Sequence, residues 1–121
     1  MTFDALTFLD VAVGMVGGTE AEIRTAIGRA YYAMFLRTRD SLAAQGLKTL
    51  RNSGEDHGSV VRTLRQKRRV TAGEQLEKLM SMRRVADYDT SATVSLSDLD
   101  LALSLAQDVR RMLTPDWGLT T

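Results

Sequence analysis

The chain contains one histidine, His57, and no cysteine. The pattern around it predicts that His57 lies near the N-terminus of a helix, where the macrodipole and the free N–H groups disfavour imidazolium. A neutral imidazole at pH 7 can act as a general base. His57 can equally cap the helix or bond to a neighbour such as Asp56. With no cysteine and one histidine, Cys-based zinc sites and a two-histidine metal centre within one chain are excluded, and we expect no metal and no cofactor.

Two opposite charges lie on the apolar side of a predicted helix. The stripe formed by Leu76, Leu79 and Met80 continues onto Arg83 and then Asp87. Residues four apart are neighbours on a helix surface. Burying either charge alone costs several kcal/mol, so we expect both to be paired.

The partners of these two charges remain open at the level of sequence. They can pair with each other, with Arg29 on the preceding long helix, or with tyrosine hydroxyls of Tyr31, Tyr32 and Tyr88. The sequence predicts a polar cluster of Arg29, Tyr32, Arg83, Asp87 and Tyr88. Such a cluster serves either as an internal network that fixes helix register or as a nucleotide or RNA pocket.

Charge is distributed unevenly along the chain. The formal net charge is only +1, yet residues 48–69 are rich in Lys and Arg, whereas residues 85–109 contain aspartates and neither Lys nor Arg. A basic patch can contact several phosphates. The candidate RNA-binding residues are Arg62, Arg65, Arg68 and Arg69. An acidic protein partner or a solvated face explains the patch equally well.

The composition predicts one all-α domain. The chain has 121 residues, 44% hydrophobic residues and a single proline. This length corresponds to one domain, and the Leu- and Ala-rich composition favours helices. There is no basic region followed by an apolar core at the start, and no apolar run of about 18 residues. We therefore expect a cytoplasmic protein that does not enter a membrane.

Periodicity and capping residues predict about five helices in an up-and-down bundle. The first carries an apolar stripe from Phe3 to Val16 and ends at Gly17–Gly18; the second begins at Thr19, in a capping box with Glu22, and runs for about 25 residues. A loop over Gln45–Gly54 follows. The third helix is predicted over His57–Arg69, the fourth from Thr71 or Ala72 to Asp89, and the fifth from a cap at Ser95 or Ser97 to Leu113.

The last predicted helix is apolar on two flanks. One stripe includes Leu99 and Leu113, and a second includes Leu101, Leu105 and Met112. The helix is therefore either central in the bundle or part of an oligomer interface, and we expect a homodimer. Residues 1–113 form the predicted domain, and residues 114–121, including Trp117, form a predicted flexible tail.

Three blocks resemble the HEPN superfamily of prokaryotic helical domains: RAYYAMF over Arg29–Phe35, HGSVV over His57–Val61, and MRRVADYD over Met82–Asp89. The resemblance covers residues 20–113. It implies an up-and-down bundle of about five helices and usually a homodimer. Many members resemble toxins or phage-defence proteins that are encoded beside a minimal nucleotidyltransferase, and many are metal-independent ribonucleases.

The resemblance also implies a catalytic pair. Ribonuclease members carry an arginine, often followed by asparagine, a few residues before a histidine, and here Arg51-Asn52 precedes His57. Metal-free cleavage of RNA needs a base, a cation and an acid, which Arg51 and His57 of two chains can supply. The alternative is a non-catalytic HEPN module that binds a nucleotide, RNA or a protein partner.

Overall fold

The computed structural model describes residues 3–46 and 56–117, and within those ranges every regular element is a helix. The protein is therefore an all-α helical bundle, as its composition predicts. Its five helices are α1 (Thr7–Gly14), α2 (Glu20–Ala44), α3 (Asp56–Gln66), α4 (Val70–Tyr88) and α5 (Leu96–Trp117). None of these helices is both long and apolar enough to cross a membrane, as judged over the part of the chain that the structure describes.

Helix α2 is the centre of the bundle and contacts all four other helices. Its predicted start is confirmed. The backbone N–H of Glu22 donates to the Thr19 hydroxyl at 3.3 Å, and the Glu22 carboxylate accepts the backbone N–H of Thr19 at 3.1 Å. This capping box satisfies N–H groups that have no partner within the helix.

Helix α5 is central rather than peripheral. It packs against α1, α2 and α4, and Leu99 and Leu113 are completely buried. Of the predicted second stripe, Leu105 is also buried, whereas the Leu101 side chain is 53% exposed. The apolar excess of this helix is therefore mostly explained by contacts within one chain.

Three helix boundaries or faces differ from the sequence prediction. In α1 the buried residues are Leu9 and Ala12, whereas Phe3 and Val16 are exposed. Helix α3 ends at Gln66, three residues before its predicted end. Helix α5 continues to Trp117, so residues 114–117 are helical backbone rather than part of a tail.

The turn between α3 and α4 explains the early end of α3. Arg68 has a φ of +62°, and the N–H groups of Arg68 and Arg69 donate to the carbonyl oxygens of Arg65 and Leu64 at 3.1 and 2.7 Å. This is a Schellman motif, in which the residue in the left-handed conformation is usually glycine. Because arginine occupies that position here, the sequence contains no glycine signal for the helix end.

Candidate functional site

The single histidine lies against the most buried tyrosine of α2. The hydroxyl of Tyr31 and Nδ1 of His57 are 2.7 Å apart, and Tyr31 is only 1% exposed. Phe35 stacks on the Tyr31 ring, with 5.5 Å between ring centroids, and lies 6.0 Å from the His57 ring. His57 is the second residue of α3, near the helix start as predicted, but its bonded neighbour is Tyr31 and not Asp56.

Burial lowers the pKa of His57, so the imidazole is neutral at pH 7. The charges of Arg84 and Arg83 act in the same direction, and Glu77 opposes them. The predicted neutral state is thus supported, although its main cause is burial in the bundle. Burial also raises the pKa of Tyr31, which keeps the phenol protonated.

Arg83 of α4 contacts the tyrosine of this pair. Its guanidinium carbon lies 5.7 Å from the centroid of the Tyr31 ring and 5.5 Å from that of Tyr32, and its side chain is only 11% exposed. Such contacts place the cation on the electron-rich faces of the rings. His57 and Arg83 therefore contact the same tyrosine from two different helices.

Arg83 also forms the ion pair that the sequence predicts. Nη1 of Arg83 is 2.9 Å from Oδ2 of Asp87, one helical turn later, and the Tyr88 ring lies 5.8 Å from the guanidinium carbon. Burial opposes the charged form, but hydrogen bonding to Tyr88 and Asp87 outweighs it and raises the pKa of Arg83.

The burial that the sequence predicts for Asp87 is wrong, and Tyr88 beside it is exposed as well. The Asp87 side chain is 36% exposed and Tyr88 is 73% exposed. Both lie in the last turn of α4, which ends at Tyr88, so water reaches them as the helix leaves the bundle. Arg83 is the more enclosed partner of the ion pair, with its side chain 11% exposed.

Arg29 and Tyr32, the remaining predicted members, join the cluster through cation–π contacts. The guanidinium carbon of Arg29 lies 5.0 Å from the centroid of the Phe8 ring and 5.9 Å from that of Tyr32. Arg29 and Arg83 thus both contact the Tyr32 ring. The structure brings together all five predicted residues, but by cation–π contacts and one ion pair.

Arg24 is a further organising residue that sequence reasoning missed. Its guanidinium donates to the carbonyl oxygens of Ala86, Asp89 and Ala92 at 3.0, 3.1 and 2.6 Å. It also donates to the carboxylate of Glu20, one turn earlier on α2, at 3.0 Å. The four-residue spacing of Glu20 and Arg24 was the only feature of the sequence that indicated a partner for Arg24. It does not indicate that Arg24 binds carbonyl groups more than 60 residues away.

His57 and two of the candidate RNA-binding residues are separated in space. Arg51 lies outside the described residues. His57 is at the N-terminal end of α3, whereas Arg68 and Arg69 lie in the turn after its C-terminal end, roughly 16 Å away at 1.5 Å per helical residue. These two arginines line a cavity of about 290 Å³ that Met112 of α5 also contacts.

The other two candidate arginines lie on the exposed surface of α3. Nη2 of Arg65 is 3.4 Å from a carboxylate oxygen of Glu77 on α4, and Arg62 is exposed. The four arginines lie along α3 and in the turn after it, and their role in RNA binding stays a prediction. The cation closest in sequence to Arg83 is the exposed Arg84, which the prediction did not include.

The arrangement around His57 is suited to binding an anionic oxygen. The neutral imidazole and the Arg83 guanidinium both contact Tyr31 and supply N–H donors, and the charges of Arg83 and Arg84 act on His57 together with the opposing charge of Glu77. In residues 3–46 and 56–117 we find no group of three His, Cys, Asp or Glu side chains that could hold a metal ion.

Comparison with curated proteins identifies a relative of unknown function. Over 95 residues the chain is 36% identical to the uncharacterized protein MJ0992 of Methanocaldococcus jannaschii. The match covers 64% of this chain and 54% of the relative, so the chain spans about half the length of the protein it matches. No protein-family model and no solved structure matches the chain.

Proposed function

We propose that the protein is a HEPN-like RNA-binding protein, in which His57, Arg83 and Arg84 receive a phosphate of RNA or of a nucleotide. The observation that carries the proposal is that Tyr31 contacts both His57, at 2.7 Å, and the buried guanidinium of Arg83. The two donors are thus held by one rigid aromatic side chain. Tyr31, His57, Arg83 and Arg84 all lie within the three HEPN-like blocks, which is why RNA is the favoured phosphate ligand.

The exposed Arg84 makes the most informative variant. It lies beside Arg83 and contributes to the electrostatic potential at His57, yet its exposure makes it dispensable for folding. Arg84→Gln should weaken binding of a fluorescent single-stranded RNA by about tenfold at low salt, because one phosphate contact is lost. Fluorescence anisotropy measures this.

Arg111→Gln is the matched control, because Arg111 is an exposed arginine of α5 that pairs with Asp108. It removes the same charge and should leave affinity within about twofold, since it is remote from His57. Equal losses for the two variants, or no RNA binding by the unaltered protein at low salt, would contradict the proposal.

A second candidate function is a metal-independent endoribonuclease, acting as a growth-arresting toxin or defence component. The neutral His57 beside two arginines favours it, because such a site contains a potential base and cations for the phosphorane charge. Arg51 is the second candidate catalytic residue. The enzyme would cleave RNA in EDTA, and His57→Ala would abolish cleavage while Arg111→Gln retained it; cleavage that survives His57→Ala would exclude this role.

The expected partners belong to the same proposal. A homodimer would bring two copies of Arg51 and His57 together, and the exposed Leu96 and Leu101 of α5 offer apolar surface for it. A minimal nucleotidyltransferase would act as antitoxin in the cytoplasm. Sedimentation at several concentrations tests the dimer; a monomer mass at all of them contradicts it.

A further inference from the structure

We propose that Tyr31 is a positioning residue that fixes the tautomer of His57: its hydroxyl donates to Nδ1, so the imidazole carries its own proton on Nε2. This inference concerns the site of the proposed function but predicts a property of the protein without ligand. Nε2 is then the ring nitrogen that can donate a hydrogen bond to an acceptor.

The first argument is the need to satisfy the phenol. Tyr31 is 1% exposed, and a buried hydroxyl without a hydrogen-bond acceptor is costly. Within the described residues, the hydroxyl has one hydrogen-bond partner, Nδ1 of His57. If Nδ1–H donated to the phenol instead, the phenol proton would have no acceptor there.

The second argument is the protonation state of both rings. Burial keeps the Tyr31 phenol protonated and His57 neutral, so the bond runs either from the phenol O–H to Nδ1 or from Nδ1–H to the phenol oxygen, and only the first gives the phenol proton an acceptor. A neutral imidazole has one donor and one acceptor nitrogen. With Nδ1 accepting, Nε2 is the donor.

The charged groups around His57 leave this assignment intact. On α4, Arg83 and Arg84 disfavour imidazolium and Glu77 favours it, while Asp56 precedes His57 on α3. No described residue forms a hydrogen bond with Nε2. The Nε2–H group is therefore suited to donate to an acceptor such as a phosphate oxygen, and it cannot accept a proton until the tautomer changes.

Nitrogen NMR of histidine-labelled protein tests the assignment directly, because His57 is the single histidine. At pH 7.5 we expect Nε2 at the chemical shift of a protonated nitrogen and Nδ1 at that of an unprotonated one. Tyr31→Phe should move both shifts toward the average of two exchanging tautomers. It should also raise the midpoint of the His57 titration by roughly 0.5 to 1 pH unit, because the lost bond stabilised the neutral ring.

Tyr32→Phe is the control, since Tyr32 contacts the Tyr31 ring edge and should leave the tautomer unchanged. A proton on Nδ1 in the unaltered protein overturns the proposal, even if Tyr31→Phe does not fold. Unchanged shifts in folded Tyr31→Phe also overturn it.

Addition of inorganic phosphate separates this inference from the proposed function. A downfield shift of the Nε2 proton supports both. The expected tautomer with no response to phosphate supports the role of Tyr31 and contradicts phosphate binding at His57.

Discussion

Asp87 shows how exposure changes the value of an ion pair. Its carboxylate accepts from Arg83 at 2.9 Å, but its side chain is 36% exposed, so water replaces much of the lost interaction. The sequence alone predicts a loss of about 3 to 5 kcal/mol for Asp87→Ala on the assumption of a buried charge. The structure lowers that expectation to about 1 kcal/mol, measured as the free energy of unfolding in urea.

Arg83→Met is the useful comparison for Asp87→Ala. It removes a mostly buried charge that contacts two aromatic rings, together with the same ion pair. A loss of 3 kcal/mol or more for Asp87→Ala would contradict the reduced value and would show that the mostly buried Arg83 guanidinium depends on this carboxylate.

His57 should make stability depend on pH in a narrow range. Because folding lowers its pKa, the unfolded chain binds the proton first as the pH falls below about 6.5. The free energy of unfolding therefore decreases as the pH falls, until His57 of the folded protein is also protonated. Urea midpoints between pH 7.5 and 5.5 measure this decrease.

His57→Gln should remove the decrease in unfolding free energy that protonation of His57 causes between pH 7.5 and 5.5. His57 is the single histidine, and bonds to Ser91 lower the pKa of Asp89, which moves that carboxylate further from this pH range. Parallel pH profiles for the two proteins would contradict the lowered pKa.

Residue roles were predictable only where they follow from spacing on one helix. Arg83 and Asp87 are four residues apart, so their pairing could be expected from the sequence. Tyr31 and His57 are 26 residues apart on different helices, and their hydrogen bond depends on how α2 and α3 pack. Local pattern contains no information on that contact.

The start of α2 depends on one side chain. Thr19→Ala removes the hydroxyl that accepts the Glu22 N–H, and should cost about 1 kcal/mol of unfolding free energy. Thr25→Ala on the same helix is the control, because its hydroxyl bonds only to the carbonyl of Ala21 within the helix. Its effect should stay within about 0.5 kcal/mol. Equal effects of the two substitutions would contradict a specific capping role.

The end of α3 contains an arginine where glycine is preferred. Arg68→Gly should stabilise the protein by about 0.5 to 1 kcal/mol, because glycine adopts a φ of +62° without steric cost. Arg62→Gly, within exposed helix, should instead destabilise it by about 1 kcal/mol. Thermal unfolding distinguishes these signs, and destabilisation by Arg68→Gly would contradict the strain.

Element boundaries were predictable where the chain uses common end signals. The box formed by Thr19 and Glu22 predicts the start of α2 correctly. The end of α3 was predicted too late because Arg68 replaces the expected glycine. Helix α5 was predicted to end at Leu113, before Pro115, yet it continues to Trp117, so one proline near the C-terminus does not stop it.

The whole molecule depends on one core shared by the helices. Leu99 on α5 is completely buried, whereas Leu101, two residues later on the same helix, is 53% exposed. Leu99→Ala should cost about 2 to 5 kcal/mol, and Leu101→Ala less than about 0.5 kcal/mol. Chemical denaturation of both variants checks whether α5 is central; similar losses would contradict the packing.

The all-α bundle was predictable because hydrophobic residues make up 44% of the chain and recur at helical intervals. The position of α5 was not, because apolar residues on two flanks indicate either a central helix or an interface. Contacts with α1, α2 and α4 decide that the helix is central within this chain.

Arg24 joins α2 to the carbonyl groups at the end of α4 and in the turn before α5. Local opening of that corner would break several charge-assisted bonds at once. The turn should therefore behave as part of the same cooperative unit as α2, with little independent fraying. A substitution that loosens α2 would consequently disturb Asp87 and Tyr88, even where the altered residue does not contact either of them.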